Sequence, residues 1–269
     1  MKKTSAIIIG ISSDIGTALC RKWTGNGWQV TGTYRKKTPA MKKLEKEGAC
    51  FFFCDVAKPA SCIAACRKLE KVCRAWDLLV MLPASLKPIG PFSEDRFSDW
   101  QNSVELNFIN QMLLVHQLLP LRRRGSLLGP CVLFFSAGGI NDAPVNYSAY
   151  TAAKIATVKM AELLAEEIKD TRFVTIGPGW VKTKIHQETL AAGSKAGANY
   201  RRTADKFKKG NFTPMEKILD CCDWIVNQPK SIVSGRNFHV NHDQWGTKKF
   251  SGKLAREPHL LKLRKYGSI

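Results

Sequence analysis

The chain has 269 residues, 44% of them hydrophobic, with 42 Lys and Arg against 22 Asp and Glu for a formal net charge of +20. That length can bury a substantial core in one large domain. The apolar runs at 6–9, 78–82 and 132–135 fall far short of the roughly 20 residues of a membrane span, and no signal-peptide pattern precedes them, so a soluble, cytoplasmic protein is expected.

Nine cysteines in that setting read as reduced thiols rather than a disulfide framework. The spacing of Cys50, Cys54, Cys62 and Cys66 invites a zinc reading, but strand and helix periodicity bury those pairs without a metal, and none is expected. The positive charge favours anionic partners. It is scattered through Lys36-Lys37, Lys42-Lys43, Arg122-Arg123-Arg124, Lys208-Lys209 and Lys248-Lys249, with no aromatic-interleaved RNA motif or zinc finger. It therefore reads as solvated surface, and nucleic acid is not an expected partner.

In chain order, residues 5–10 read as a buried strand, and Asp14 through Trp23 as a helix closed by the Gly25-Asn26-Gly27 turn. Further strands are expected near 28–34, 49–54, 77–82, 130–136, 172–177 and 237–240, with helices near 39–47, 58–73, 96–121, 147–169 and 214–227. This alternation predicts a doubly wound (Rossmann) α/β fold, a parallel sheet with helices on both faces, in a single domain over 1–243. Two segments break the rhythm. The stretch 184–213, rich in Ala, Gly, Lys and Arg, reads as a mobile lid, and 244–269 as a basic C-terminal appendage.

Gly10-Ile-Ser-Ser-Asp-Ile-Gly16 lies between the first strand and first helix. Small residues there let the backbone approach a pyrophosphate while the helix N-terminus offers free N–H groups and positive potential. Gly10, Ser12, Ser13, Asp14, Ile15 and Gly16 are the expected contacts. NAD-specific folds of this kind place an acid at the end of the second strand for the ribose hydroxyls. No acid occurs between Asp14 and Glu45; the strand ends Thr33-Tyr34-Arg35-Lys36-Lys37. Arg35 beside Tyr34 can pair with a 2′-phosphate that an acid would repel, so NADP(H) is the expected cofactor. Asp55 and Val56, after the strand Phe51-Phe52-Phe53-Cys54, sit where a carboxylate and a backbone can hold an adenine amino group.

The strand Cys131–Phe135 delivers Ser136, and fourteen residues later Tyr150-Thr-Ala-Ala-Lys154 opens a helical run. The i,i+4 spacing puts phenol and ammonium on one helix face. A nearby cation favours a phenolate and brings tyrosine toward the range of a general acid–base.

The order of glycine turn, Asp55, Asn107, Ser136, Tyr150-x-x-x-Lys154 and Pro178-Gly179-Trp-Val-Lys-Thr183 resembles the short-chain dehydrogenase/reductase family over about residues 5–243. By that resemblance, Tyr150 exchanges the substrate proton, Lys154 binds the nicotinamide ribose and lowers the tyrosine pKa, and Ser136 polarises the carbonyl. Asn107 holds a water in a proton relay, and Pro178, Gly179, Val181 and Thr183 touch the nicotinamide. The implied activity is an NADP(H)-dependent oxidoreductase acting on a carbonyl or secondary alcohol. The basic lid (Lys195, Arg201, Arg202, Lys206, Lys208, Lys209) points to a phosphorylated or nucleotide-linked sugar. The family's dimers and tetramers imply a homo-oligomer through 96–121 and 147–169. The alternative is a non-catalytic NADP(H) sensor or scaffold.

Three features depart from the family pattern. Asp14 stands where a glycine is usual and is expected to cap the helix. Met81-Leu82-Pro83-Ala84 replaces Asn-Asn-Ala-Gly, so the support which that motif gives must come from elsewhere. The interval from Ser136 to Tyr150 is one residue longer than the commonest spacing.

Overall fold

The computed structural model describes residues 3–137 and 141–265. Seven parallel strands form one sheet in the order β3-β2-β1-β4-β5-β6-β7: β1 (Ser5–Ile9), β2 (Gln29–Tyr34), β3 (Cys50–Phe53), β4 (Leu78–Met81), β5 (Cys131–Phe135), β6 (Arg172–Gly177) and β7 (Asn237–His239). The helices are α1 (Asp14–Gly25), α2 (Pro39–Lys46), α3 (Pro59–Val72), α4 (Phe97–Val104), α5 (Asn110–Leu118), α6 (Ser148–Glu167), α7 (His186–Ala192), α8 (Ala198–Lys209), α9 (Met215–Val226), α10 (Lys230–Val233) and α11 (Lys248–Arg256). The doubly wound fold is the one the alternation predicts.

Alternation along each strand divides the core in two, because successive side chains leave a strand on opposite faces. Ala6, Ile8, Leu78, Val80, Leu133 and Phe135 pack with α1, α2 and α9 on one face. Ile7, Ile9, Leu79, Met81, Val132 and Phe134 pack with α3, α5 and α6 on the other. The strand order reverses between β2-β1 and β4-β5. That switch point opens a crevice at the carboxyl ends of the strands, where such sheets bind ligands.

The expected helix over 96–121 is interrupted. A π-turn, Glu105–Ile109, joins α4 to α5 and carries Asn107, a distortion that recurs at functional sites. The segment 184–213, expected as a mobile lid, contains α7 and α8 around a 3-10 turn. Its Ala, Gly and Lys content masks an apolar face: Ala196 is buried with Ile185 and Ala192 packed against the same cluster, and Phe207 packs edge-on against Phe212.

The tail is also more integrated than an appendage. Thr247 caps α11 by accepting from Phe250 N, and Leu254 is fully buried. The N–H of Asn237 on β7 donates to the Leu261 carbonyl (2.9 Å), and Arg264 Nη1 donates to Glu162 Oε2 on α6 (3.0 Å). No helix among the described residues is long and apolar enough to cross a membrane.

Candidate active site

The glycine turn is built by close packing. Gly10 takes a φ of 84°, open to glycine without strain. A Cβ on Gly16 would lie 2.8 Å from the Gly10 carbonyl, so Gly16 does not face the crevice but lets α1 start against the end of β1. The expectation that Asp14 caps α1 is corrected: Ser13 is the cap, its Oγ accepting from Gly16 N (3.1 Å). The Asp14 carboxylate instead accepts the N–H of Lys184 (3.1 Å), tying the turn to the segment that follows β6.

Gly10, Ser12, Ser13, Asp14, Ile15, Arg35, Asp55, Val56, Tyr150, Lys154, Pro178, Gly179, Val181 and Thr183 line one cleft of about 1640 Å³. Arg35 is exposed at its rim. Neither it nor Lys36 forms an ion pair among the described residues, whereas Lys37 pairs with Glu45. Tyr34 is a second correction: its ring packs edge-on against Phe53 at 6.3 Å with the Lys37 ammonium above it, and it does not line the cleft. The Asp55 carboxylate faces the cleft, anchored by Ala57 N (3.3 Å). Among the described residues no acidic, His or Cys group is arranged to hold a metal, and all nine cysteines are free.

On α6, one helical turn brings the Lys154 ammonium to 5.7 Å from the centre of the Tyr150 ring. Lys154 Nζ donates to the Phe135 carbonyl at the end of β5 (2.9 Å). Burial without a carboxylate partner pushes this lysine down to about 8. Burial also pushes the Tyr150 phenol up, and the Glu188 charge adds to the effect. In the protein without nucleotide, Tyr150 is therefore held as a proton donor.

The support missing with Asn-Asn-Ala-Gly comes from the π-turn and the start of α5. Asn107 accepts from Ser85 N (3.1 Å) and donates to Ser85 O (2.9 Å) and Ser103 O (3.0 Å). Gln111 Nε2 donates to the Pro83 carbonyl (2.8 Å), and Pro83 packs over Gly10. The Asn107 side chain thus lies below the cleft, engaged in holding the 83–85 loop. That loop in turn holds the lid: Glu188 on α7 accepts from Ser85 Oγ (3.0 Å) and Leu86 N (2.6 Å).

Ser136 sits at the floor, 4% exposed. Its hydroxyl donates to Asn237 Oδ1 on β7 (2.8 Å) and makes no hydrogen bond to Tyr150 or Lys154.

Several cleft residues escape the sequence reading. Trp180 stacks on His186 at 5.0 Å, with the Arg202 guanidinium 5.9 Å over the indole. Tyr147, Glu188, Lys217, His239 and Asn241 complete the walls. Glu188 could have been noticed as one of only two acids in 184–213, the other being Asp205; the rest carry no local signature.

A doubly wound sheet with a glycine turn at its switch point and a Tyr-Lys pair at its chemical end defines a dinucleotide-dependent oxidoreductase fold and site. The comparisons identify the family. The model described as short chain dehydrogenase matches residues 4–193, and the chain belongs to that family of oxidoreductases. It is 24% identical over 232 residues to serine 3-dehydrogenase of Agrobacterium fabrum, covering 84% of this chain and 89% of that one. It is 26% identical over 239 residues to the NADPH-dependent 3-dehydrocapnine reductase of Ornithobacterium rhinotracheale, covering 86% and 81%.

Solved structures share the fold. A variant of the actinorhodin polyketide ketoreductase with NADPH gives a TM-score of 0.75 at 19% identity, covering 88% of this chain and 95% of that one. The aldohexose dehydrogenase of Thermoplasma acidophilum gives 0.73 at 16%, covering 89% and 92%.

Proposed function

We propose that the protein is an NADP(H)-dependent reductase of a carbonyl compound that carries an anionic group, and that Tyr150 is its proton donor. The observation that carries this reading is the placement of Tyr150 and Lys154 in the same cleft as the glycine turn and as Arg35 and Lys36, which form no ion pair among the described residues. The cradle fits a dinucleotide: Gly10 and Gly16 keep side chains out of the turn, and the start of α1 offers N–H groups to a pyrophosphate. Arg35 would meet a 2′-phosphate, Asp55 and Val56 the adenine, and Pro178, Gly179, Val181 and Thr183 the nicotinamide. The cofactor, when bound, supplies the hydride.

The chain's own residues manage the proton. Tyr150 donates its phenolic proton to the carbonyl oxygen as the carbonyl carbon is reduced, so that one C–H and one O–H bond form. Lys154, positively charged below about 8, sits beside the ring and stabilises the resulting phenolate. Asn107 holds the 83–85 loop that anchors Glu188 and the lid. Arg202, Lys206 and Lys217 line the lid side of the cleft without ion-pair partners among the described residues, which supports an anionic, for instance phosphorylated or nucleotide-linked, substrate. A cytoplasmic homo-oligomer is part of the same reading: Phe97, Ile109 and Leu163 are exposed on α4, the π-turn and α6, the helices expected to pair.

The test is NADPH oxidation, followed by nicotinamide absorbance, over a panel of carbonyl compounds with and without phosphate groups. Turnover that disappears in Tyr150→Phe while NADPH still binds is the expected result. NADPH binding without turnover of any carbonyl compound would favour a sensor or scaffold.

A further inference from the structure

Cations dominate the cleft of this chain of net charge +20: Arg35, Lys36, Arg202, Lys206 and Lys217 line it, against the acids Asp14, Asp55, Asp142 and Glu188. Asp14 accepts from Lys184 N (3.1 Å) and Asp55 from Ala57 N (3.3 Å), both at the end assigned to the cofactor, and Asp142 is exposed.

Glu188 differs. It stands half-buried on α7, and its neighbour Thr189 accepts from the Tyr147 hydroxyl (3.0 Å), which fixes the turn of helix that carries both. Glu188 Oε2 accepts from Leu86 N (2.6 Å) and Ser85 Oγ (3.0 Å), and the same hydroxyl reaches Oε1 at 3.2 Å. These neutral donors on one loop are its hydrogen-bond partners among the described residues, and no Lys or Arg there pairs with it. The cation beside Tyr150, Lys154, is turned to the Phe135 carbonyl (2.9 Å). A carboxylate offers about four acceptor positions, so Oε1 keeps capacity for a donor in the cleft. The charge of Glu188 is felt at Tyr150, where it adds to burial in raising the phenol.

That charge works against reduction. The carbonyl oxygen beside Tyr150 moves toward an alkoxide, and a second negative charge in a site shielded from water opposes it, the reverse of the donors and cations that speed such steps. A carboxylate withdrawn from water also needs a partner. A cation carried by the substrate answers both demands.

We propose that Glu188 is a specificity-determining residue that receives an ammonium group of the substrate next to the reacting carbonyl, so that the substrate is an α-amino ketone whose far end carries the anionic group met by the lid cations. The inference rests on the reductase reading above. The carbonyl carbon gains the cofactor's hydride and its oxygen the Tyr150 proton, while the ammonium keeps its protons and leaves as part of an amino alcohol. Held between Glu188 and the forming alkoxide, it neutralises the first and stabilises the second.

The experiment uses the full chain with NADPH and two probes that share a phosphate and differ in one group. These are 3-amino-2-oxopropyl phosphate, with an ammonium beside the carbonyl, and dihydroxyacetone phosphate, with a hydroxyl there. Turnover is compared in wild type, Glu188→Gln and Ser85→Ala, with thermal unfolding of each. Wild type is expected to favour the ammonium probe in kcat/KM by about tenfold or more, the worth of one charge-assisted hydrogen bond. Glu188→Gln keeps an acceptor for Ser85 and Leu86 but loses the charge. It is expected to lose about tenfold or more on the ammonium probe and to gain about twofold or more on dihydroxyacetone phosphate, whose alkoxide no longer faces a carboxylate. Ser85→Ala loosens the loop and leaves the charge, and is expected to lower both probes alike with the preference kept.

A parallel fall on both probes in Glu188→Gln would reduce the residue to a fastening of the lid and overturn the proposal. Equal or better turnover of dihydroxyacetone phosphate by wild type would also overturn it, as would an ammonium preference untouched by the variant. If neither probe is turned over, calorimetric titration of the NADPH-bound chain with the same two compounds decides. Tighter binding of the ammonium probe that vanishes in Glu188→Gln would sink the reductase reading and leave the ammonium site standing; equal binding of the two, or binding of neither, would sink the ammonium site.

Discussion

The two ends of the cleft are built by different means. The end we assign to the cofactor is framed by backbone: a glycine turn, a helix start capped by Ser13, and the strand ends that carry Arg35 and Asp55. At the end we assign to the substrate, side chains hold one another, from Asn107 through Ser85 to Glu188 and the lid, while Tyr150 has no hydrogen-bond partner among the described residues. The glycine turn tolerates no added bulk, while Arg35 at the rim is expected to act through its side chain. A side-chain network tolerates bulk at its edges but not the loss of a member.

The comparison can be broken first at its chemical centre. Tyr150→Phe is expected to lower turnover by at least about 10²-fold, the contribution of a positioned acid, with NADPH affinity unchanged; single-turnover kinetics beside a binding titration checks both. Gly16→Ala comes next. Its Cβ would meet the Gly10 carbonyl at 2.8 Å and the Ile11 Cα at 2.9 Å, both backbone atoms that cannot swing aside. A loss of about 2 kcal/mol in stability, typical of overpacking, and of most NADPH binding is expected from chemical denaturation and titration.

Lys154 separates the two ends by pH. Its pKa, pushed down to about 8 by burial, means that the ammonium is present below that value and lost above it. NADPH affinity is expected to fall several-fold between about pH 7 and pH 9, and Lys154→Met to bind weakly with no such dependence.

The smallest effect lies outside the cleft. Burial alone would raise the Glu162 carboxyl, but the hydrogen bonds and charges of Arg264 and Lys159 outweigh it and bring it to about 2. This contribution is present above the ordinary carboxylate range and is lost as pH falls through about 2. Glu162→Gln is expected to cost about 1 kcal/mol near neutral pH, a charged pair discounted for the partial exposure of Arg264. Thermal unfolding with the tail present reads it out.

The same division explains what could be read in the sequence. The sheet, the glycine turn and the Tyr150–Lys154 pair were legible because each depends on local spacing: period two in the strands, small residues at the turn, four residues between phenol and ammonium. Asp14 and Tyr34 were misread because their partners, Lys184 and Phe53, are distant in sequence, and local rules favoured a cap and a cofactor contact. Ser136 was placed correctly at the end of β5, but the direction of its hydroxyl depends on Asn237, 101 residues away. The lid helices were hidden by Gly193 and Gly197, which end one helix and start the next, and by an apolar face too sparse to register as periodic.

The most direct test of the central claim is a titration of the full chain with NADPH and with NADH, following nicotinamide fluorescence, in wild type and in Arg35→Ala. The account predicts that wild type binds NADPH at least about tenfold more tightly, the worth of one charged contact to the 2′-phosphate, and that the preference collapses in the variant. Equal affinity for both nucleotides in wild type, or an NADPH preference untouched by Arg35→Ala, would contradict it.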